Sequence, residues 1–366
     1  MIVTSLHEII RNSATAGLSL LDDDTGSMPS GHNGPYNDTE TPVRNTCHWS
    51  ILFAKSYKID GNFSFRIALE KISDYLKSEE IRPNGYTFWH RSNPNKNYCN
   101  SLIGQAWTIE ALVTIADVLE QPELVKLAEK VFLMHPFDRQ LGLWKQVEID
   151  GRILGFDITF NHQLWFAAIG STLAQYGNEK IQLQIDSFIK KLPNLISIYS
   201  SGLICHLFTP RVLWLSDMKD ALRHAYRYTW SKRNFLHYKA IGYHAFNLYA
   251  LALLKEYYKN DLIWKNKKIQ QILNYTKSSS YWQSLDNNQY AYPYNPPGIE
   301  VAYFLEKFLP DSQDVQRNCL IKQFKNTYDL ETNMMNKSTN DPHTYAARLY
   351  EATRLPNLEL NLGNHF

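Results

Sequence analysis

The hydrophobic positions of this 366-residue chain recur mostly three or four residues apart, over segments of about twelve to twenty residues. This spacing predicts a chain that is mostly helical, with almost no strand. One kind of segment is apolar nearly all round, which is typical of a helix that is buried on every side. The clearest segments of this kind are residues 102–119, 164–173 and 243–254.

An amphipathic segment follows each buried one, with Lys, Glu and Gln on the face that should meet water. These segments are residues 122–132, 180–192 and 262–275. The same alternation pairs residues 42–57 with 63–78, and residues 297–308 with 312–328. The last buried segment, residues 342–352, has no successor, and residues 4–20 would serve as its partner.

Six helical hairpins at intervals of about 60 residues therefore account for the whole chain. Because no fixed sequence repeat accompanies this period, it favours an all-α, single-domain (α/α)6 toroid over residues 1–366 rather than an open solenoid. Other all-helical packings follow the same burial rules and are the alternative. Residues 1–41 would supply a helix and a Gly/Pro-rich loop that close the ring, and residues 199–241 an insertion over its mouth.

The predicted inner helices begin near Pro42, Asn100, Thr159, Tyr243, Pro297 and Pro342. Proline is well tolerated at the first turn of a helix, where its missing N–H would have no partner anyway. The three prolines fix the helix direction, so the polar residues at these starts should face one end of the ring. Such residues either bond to one another or line a central cavity whose positive helix ends suit an anionic ligand.

Composition narrows the choice of partners. The 23 Tyr, 17 Phe and 9 Trp make up 13% of the chain, enough for an aromatic core or for a wall on which sugars stack. A net charge of +2 gives no broad field for nucleic acid or an anionic membrane. The absence of an apolar run long enough to span a membrane predicts no membrane insertion, and we expect a soluble, cytoplasmic protein.

Motif searches predict neither a cofactor nor a metal. The sequence contains no P-loop, no HExxH and no GxGxxG. Its four cysteines lie more than fifty residues apart without a CxxC pair, which argues against a zinc ribbon or a disulfide framework.

The segment GFDITFNHQLWFAA, residues 155–168, carries the sharpest local signal. Asp157 stands just ahead of a predicted helix, where an aspartate caps the first turn well. The order Asp157, Asn161, Leu164 and then the Phe-Ala-Ala run resembles the helix that carries a catalytic aspartate in unsaturated glucuronyl hydrolases, which are six-hairpin glycosidases. The resemblance implies an (α/α)6 toroid in which Asp157 moves protons at a sugar double bond or glycosidic oxygen. The second aspartate of that family has no counterpart here, because Leu102–Ile103–Gly104 supplies no acid.

Residues 26–49 and 135–138 also resemble proteins encoded in bacterial surface-polysaccharide gene clusters, which implies a pathway rather than a reaction. The candidate catalytic residues are Glu110, Asp157, His162, Tyr243, His244 and Glu300. The candidate substrate-binding residues are His32, Arg44, His48, Trp89, His90, Gln105, Trp107, Asn161, Tyr294, His343 and Arg348. Arg44 would either hold a sugar carboxylate with two hydrogen bonds or form an ion pair with Asp38 or Glu40.

Three hypotheses follow, each with an acidic saccharide as partner. The first is a glycoside hydrolase that pairs Asp157 with Glu300 or Glu110 as acid and base. The second is a polysaccharide lyase or uronate C5-epimerase, in which Arg44 or Asn161 neutralises a carboxylate. In that enzyme a proton would move through one of several side chains: His162, His244, Tyr243 or Tyr294. The third is a non-catalytic saccharide-binding component of polysaccharide biosynthesis.

Overall fold

The computed structural model describes residues 2–208 and 232–363. Within these residues the α-helices are, in chain order, α1 (Leu6–Leu18), α2 (Val43–Asp60), α3 (Phe63–Lys77), α4 (Ser101–Leu119), α5 (Pro122–Met134), α6 (Phe160–Leu173), α7 (Glu179–Leu195), α8 (Arg233–Tyr257), α9 (Lys267–Thr276), α10 (Ser279–Ser284), α11 (Pro297–Phe308), α12 (Gln313–Thr327) and α13 (Pro342–Ala347). A 3-10 segment, Arg348–Arg354, continues α13.

The inner helices form a closed ring. Helix α2 packs on α4, α4 on α6, α6 on α8 and α8 on α11, while the 3-10 segment after α13 packs on both α11 and α2. Outer helices lie against them, with α3 on α2, α5 on α4, α7 on α6 and α12 on α11. The predicted all-α (α/α)6 toroid is therefore confirmed.

Helix α1 packs on α2 and on the 3-10 segment, where the last hairpin lacks an outer helix of its own. Strand β1 (Ile2–Ser5) pairs antiparallel with the strand near the other end of the described chain, Glu359–Gly363. Ser5 caps α1 by accepting a hydrogen bond from the backbone N–H of Glu8. The two ends of the described chain thus meet beside α1 and α12.

Short strands, which the hydrophobic pattern did not predict, connect some of the helices. Phe137–Asp138 (β2), Leu143–Val147 (β3) and Ile153–Phe156 (β4) form an antiparallel sheet between α5 and α6. Tyr328–Asp329 (β5) pairs with Met334–Met335 (β6), which makes Glu359–Gly363 strand β7. Strands of two residues are too short to show a two-residue alternation, whereas exposed and buried positions do alternate along β7.

The predicted boundaries need two corrections. Helix α8 begins at Arg233, about three turns before the predicted start at Tyr243. Its residues before Ala240 are not buried, so the all-round apolar pattern marks only the later part of the helix. The predicted segment 262–275 is a 3-10 turn, Leu262–Lys265, followed by α9. Of the expected insertion, residues 199–241, the part from 209 to 231 lies outside the described residues.

Helix α4 is apolar on all its faces, and 16 of its 19 residues are buried. In the described part of the chain it is the one helix with the length and hydropathy of a membrane span, and 89% of that stretch is buried inside the protein. An inner helix of a toroid has this composition because neighbouring helices surround it on every side.

Candidate functional site

A cavity lies at the ends of the inner helices where their chains begin. Its volume is about 150 Å³, and since one water needs roughly 10–15 Å³ on this measure, the space suits a monosaccharide unit. The described residues that line it are Asn33, Tyr36, Arg91, Lys96, Asn100, Ile103, Trp107, Thr159, His162, His206, Lys239, Tyr243, Phe246, Tyr294, Asn295 and Arg348.

The lining is cationic. It includes Arg91, Lys96, Lys239 and Arg348, and none of the lining residues just named is an aspartate or a glutamate. Side-chain carboxylates lie behind this wall: Asp38 pairs with Lys96 at 3.0 Å and with Arg91 at 3.4 Å. The positive charge of Arg91 and Lys96 is thus offset in part by a carboxylate just outside the lining.

His162 and Asp157 form a hydrogen-bonded pair at the start of α6. His162 Nδ1 lies 2.8 Å from Asp157 Oδ2, and the imidazole is 23% exposed, toward the cavity. Asp157 also accepts hydrogen bonds from the backbone N–H groups of Thr159 and Leu102. Burial alone would raise the pKa of Asp157, but His162 and these donors hold it below its usual value. The ionised carboxylate orients the imidazole so that Nε2 is left for a ligand.

Two tyrosines and a second histidine lie on another side of the cavity. The hydroxyl groups of Tyr36 and Tyr243 are 2.8 Å apart, and the ring of His206 lies 4.8 Å from that of Tyr243. Burial, and to a smaller extent the nearby Lys239 and His162, hold the pKa of His206 well below its usual value. Burial also raises the pKa of both tyrosines well above 10. These three groups are therefore neutral near pH 7, and each phenol can donate a proton.

The loop before α2 brings Tyr36 and Asn33 to the cavity. Asn33 Oδ1 accepts hydrogen bonds from Tyr294 Oη at 2.6 Å and from Arg44 Nη1 at 3.0 Å. Gly34 has a φ of +54°, and a Cβ there would lie 2.3 Å from the Tyr294 ring. A glycine is therefore needed for the loop to pass this close to the wall.

Arg44 itself lies behind the wall. It pairs with Glu40 at 3.1 Å, with both side chains 1% exposed, and its guanidinium lies 4.4 Å from the centre of the Trp107 ring. Two roles were predicted for Arg44, binding of a sugar carboxylate and an ion pair with Asp38 or Glu40. The structure shows the ion pair with Glu40. Arg44 supports Asn33 and Trp107, which do line the cavity.

Arg348 joins two buried glutamates at the cavity floor. Its Nη2 lies 2.8 Å from Glu300 Oε1, and its Nε lies 2.9 Å from Glu351 Oε1. Burial and the neighbouring Glu351 raise the pKa of Glu300 well above its usual value. Burial alone would lower the pKa of Arg348, but the two glutamates hold it above its usual value. Burial raises the pKa of Glu351 as well, so one cation holds two acids whose charged forms are both disfavoured by burial.

Five predicted site residues line the cavity: Trp107, His162, Tyr243, Tyr294 and Arg348. Among the others, Glu110 pairs with Arg354 at 2.7 Å, and Glu300 pairs with Arg348 as described above. Neither of these glutamates, which were the proposed partners of Asp157, lines the cavity. His244 bonds to Thr276 Oγ1 of α9 and accepts from the backbone N–H of Ile204, so it points outward from the ring.

The remaining predicted residues also lie outside the cavity lining. His48 stacks on Tyr350 with 4.3 Å between ring centres, and His90 bonds to Thr108 Oγ1. Gln105 bonds to backbone groups of Phe88 and Cys99. His32 bonds to the backbone carbonyl of Asn340. Of the last three, Trp89 is half-buried, Asn161 is buried and His343 is exposed, and none of them lines the cavity.

Sequence reasoning missed His206, Lys239, Arg91 and Lys96 as site residues. Lys239 falls in the aromatic and basic stretch of residues 224–244, and this composition was the signal available for it. His206 follows a bend outside any helix, and its backbone carbonyl accepts a hydrogen bond from Phe160 N–H at the start of α6. Among the described residues no group of three His, Cys, Asp or Glu side chains is placed to hold a metal ion.

A closed ring of six hairpins with a polar cavity at one end defines the six-hairpin (α/α)6 toroid class. The chain belongs to the family of archaeal glycosylation protein Q: it is 42% identical over 372 residues to that protein of Haloferax volcanii, covering 98% of this chain and 100% of the relative. This relative comes from an archaeon, whereas the sequence resemblance pointed to bacterial proteins. No protein-family model matches the chain.

Solved structures share the fold at low identity. A sugar epimerase from a ruminal bacterium matches with a TM-score of 0.67 and 11% identity, over 95% of this chain and 97% of that one. Cellobiose 2-epimerase from Bacillus thermoamylovorans B4167 matches with a TM-score of 0.64 and 12% identity, over 94% of this chain and 97% of that one. An unsaturated glucuronyl hydrolase specific for heparin matches with a TM-score of 0.58 and 10% identity, over 95% of this chain and 94% of that one. The six-hairpin fold implied by the resemblance of residues 155–168 is thereby confirmed.

Proposed function

We propose that this protein is a carbohydrate-active enzyme that moves the proton on the carbon next to the carboxylate of a uronic acid unit. This is the chemistry of a uronate C5-epimerase or a polysaccharide lyase. The observation that carries the proposal is the cavity lining, which combines His162, three phenols and several cations without a carboxylate of its own. Such a lining suits proton transfer on an anionic substrate.

A saccharide substrate fits the relatives. The H. volcanii protein is a glycosylation protein, and the structural neighbours include a cellobiose 2-epimerase and a sugar epimerase. Likeness of fold alone does not carry an activity from one protein to another. The acidic character of the substrate therefore rests on the cationic lining of this cavity.

In the proposed reaction His162 Nε2 takes the C5 proton, and Asp157 stabilises the imidazolium that forms. The electrons of the broken C–H bond move onto the sugar carboxylate, whose growing negative charge the lining cations stabilise. In an epimerase, Tyr243 then gives a proton to the opposite face of C5. To complete the cycle, His162 releases its proton to solvent and the Tyr243 phenolate regains one from solvent through its bond with Tyr36. In a lyase the electrons return from the carboxylate to form a C4=C5 double bond, the C4–O bond breaks, and a phenol gives its proton to the leaving oxygen.

Hydrolysis is less well supported. A glycosidase of the usual kind needs two carboxyl groups flanking the bond that breaks. Glu110 and Glu300 are held by Arg354 and Arg348 away from the lining, and Asp157 is bonded to His162. The acid/base pairs expected for a hydrolase are therefore not placed around a substrate in this cavity.

The test is incubation of the protein in D2O with oligosaccharides of glucuronate, mannuronate or galacturonate. An epimerase would incorporate deuterium at C5 and change the sugar configuration, as NMR detects. A lyase would raise the ultraviolet absorbance of the conjugated uronate product. His162→Asn should abolish either signal while its circular dichroism spectrum and melting temperature stay close to those of the wild type.

Two results would contradict the proposal. New reducing ends without deuterium at C5 would indicate a hydrolase. Saccharide binding without any turnover, unchanged in His162→Asn, would indicate a binding component of a glycosylation system.

A further inference from the structure

Lys239 projects into the cavity from α8 without an anionic partner. In the part of the chain that the structure describes, no carboxylate lies within ion-pair distance of its ammonium group. Its neighbours are aromatic: the ammonium lies 4.7 Å from the ring centre of Tyr36, 5.5 Å from that of Tyr290 and 5.7 Å from that of Tyr243. We refer to Lys239 and these three tyrosines as the lysine cage.

The other cations of the lining differ in this respect. Arg91 and Lys96 share Asp38, and Arg348 is bonded to Glu300. An ammonium group removed from water is unfavourable unless an anion or strong acceptors surround it. Tyrosine faces offset only part of that cost through cation–π attraction. Lys239 is therefore a cation prepared for an anion that the described protein does not supply.

The titration of Lys239 agrees with this geometry. Burial and the nearby Lys96 lower the pKa of Lys239 to about 8. The groups that face it are Lys96, His206 and the three phenols of the cage, none of which is negatively charged near pH 7. A bound anion would stabilise the charged ammonium and raise its pKa.

The lysine cage adjoins the groups that move protons in the proposed reaction. Lys239 and Tyr243 are four residues apart on α8, so they lie on the same face of the helix. Tyr243 in turn contacts His206 and Tyr36. An anionic group held by Lys239 would thus lie next to the proton-transfer residues.

We propose that Lys239 binds the anionic substituent of the sugar, a uronic acid carboxylate, and makes the cavity select acidic over neutral saccharides. This inference rests on the proposed function in one respect: the bound carboxylate is the one next to the carbon that loses its proton. The ammonium would then also stabilise the negative charge that develops on the carboxylate oxygens.

The experiment compares the binding of three matched sugar sets by isothermal titration calorimetry at pH 7. The probes are glucuronate, galacturonate and mannuronate, the corresponding uronamides and the corresponding neutral hexoses, with glucose 6-phosphate as a phosphate arm. We expect the dissociation constant of at least one uronate to be lower than that of its amide by roughly tenfold or more. A tenfold difference corresponds to about 1.4 kcal/mol of binding free energy from one favourable charge contact. Lys239→Met should remove this preference without changing amide binding, and Lys239→Arg should keep part of it.

Lys255→Met is the matched control, because Lys255 also lies on α8 and over an aromatic ring, Phe308 at 4.0 Å, but outside the cavity lining. It should bind uronates as the wild type does. The inference is overturned if no uronate is preferred over its amide, if Lys239→Met keeps the preference, or if only glucose 6-phosphate binds through Lys239.

The binding and exchange measurements separate this inference from the proposed function. Uronate binding that depends on Lys239, without deuterium exchange, would support the lysine cage and contradict the reaction. Exchange that continues in Lys239→Met with unchanged KM would support the reaction and contradict the role of Lys239.

Discussion

The imidazole of His162 and the carboxylate of Asp157 meet through Nδ1 and Oδ2 across 2.8 Å, five residues apart in the sequence. Two backbone N–H groups, one from Leu102 in α4 and one from Thr159 just before α6, hold the same carboxylate in place. Asp157 thus joins two inner helices while it orients the histidine that faces the cavity. Its structural and chemical roles use the same set of hydrogen bonds.

Replacing Asp157 with Asn should keep most of the local geometry and remove the charge that stabilises the imidazolium of His162. We expect deuterium exchange at C5 to slow by about a hundredfold or more, a typical range for losing an acid/base contribution. The melting temperature, recorded beside the exchange rate, should change much less than the rate. A rate within threefold of the wild type would show that His162 does not rely on this carboxylate.

Replacing Tyr243 with Phe tests the assignment of the second proton donor. If His162 removes the proton and Tyr243 returns one to the opposite face, the variant should still exchange deuterium at C5 but lose inversion of the sugar. NMR measures both quantities in one sample. Tyr36→Phe leaves the Tyr243 hydroxyl in place and should slow inversion less. Equal inversion by Tyr243→Phe and the wild type would remove Tyr243 from the mechanism.

Replacing Arg348 with Met should destabilise the fold strongly, because Glu300 and Glu351 would remain buried without their cation. Breaking a buried ion pair from one side costs about 3–5 kcal/mol. Chemical denaturation of the single variant measures this loss in the free energy of unfolding. The triple variant Arg348→Met, Glu300→Gln, Glu351→Gln should recover much of it. A triple variant as unstable as the single one would point to lost packing instead of unpaired charge.

Acidification should destabilise the protein through its buried histidines. Burial lowers the pKa of His244 to about 3, whereas an unfolded histidine titrates near 6.5. Between these pH values the unfolded chain binds a proton that the folded chain does not, so stability falls as pH falls below about 6.5. The slope contributed by one such group reaches about 1.4 kcal/mol per pH unit.

His244→Gln isolates this contribution, since His244 lies outside the cavity lining and bonds to Thr276 and Ile204. The free energy of unfolding, measured by urea denaturation from pH 7.5 to 5, should depend on pH less steeply in the variant. Its value at pH 7.5 serves as the reference, so any lost packing cancels from the slope. Identical slopes would show that His244 does not carry the effect.

The hydrophobic pattern was sufficient for the architecture. Segments that are apolar all round, such as 102–119, are inner helices, and amphipathic segments such as 122–132 are outer helices. A helix buried on every side and a helix buried on one side differ in the spacing of their apolar residues, so the sequence distinguishes them. It was also sufficient to place the cavity at the end of the ring where the inner helices begin. Both conclusions depend on local properties of the chain, which the sequence contains.

The membership of the site was decided only by the tertiary structure. Tyr243 lines the cavity while the next residue, His244, faces α9, because successive residues of a helix point about 100° apart and the rotation of the helix within the ring is set by packing. His206 and Tyr36 reach the cavity from connections between α-helices that are far apart in sequence. The pKa of Glu300 is likewise set by Arg348 and Glu351, which lie about fifty residues further along the chain in the neighbouring inner segment of the ring. Periodicity records how much of a helix is buried, but the partners of each buried polar group depend on how the whole ring closes.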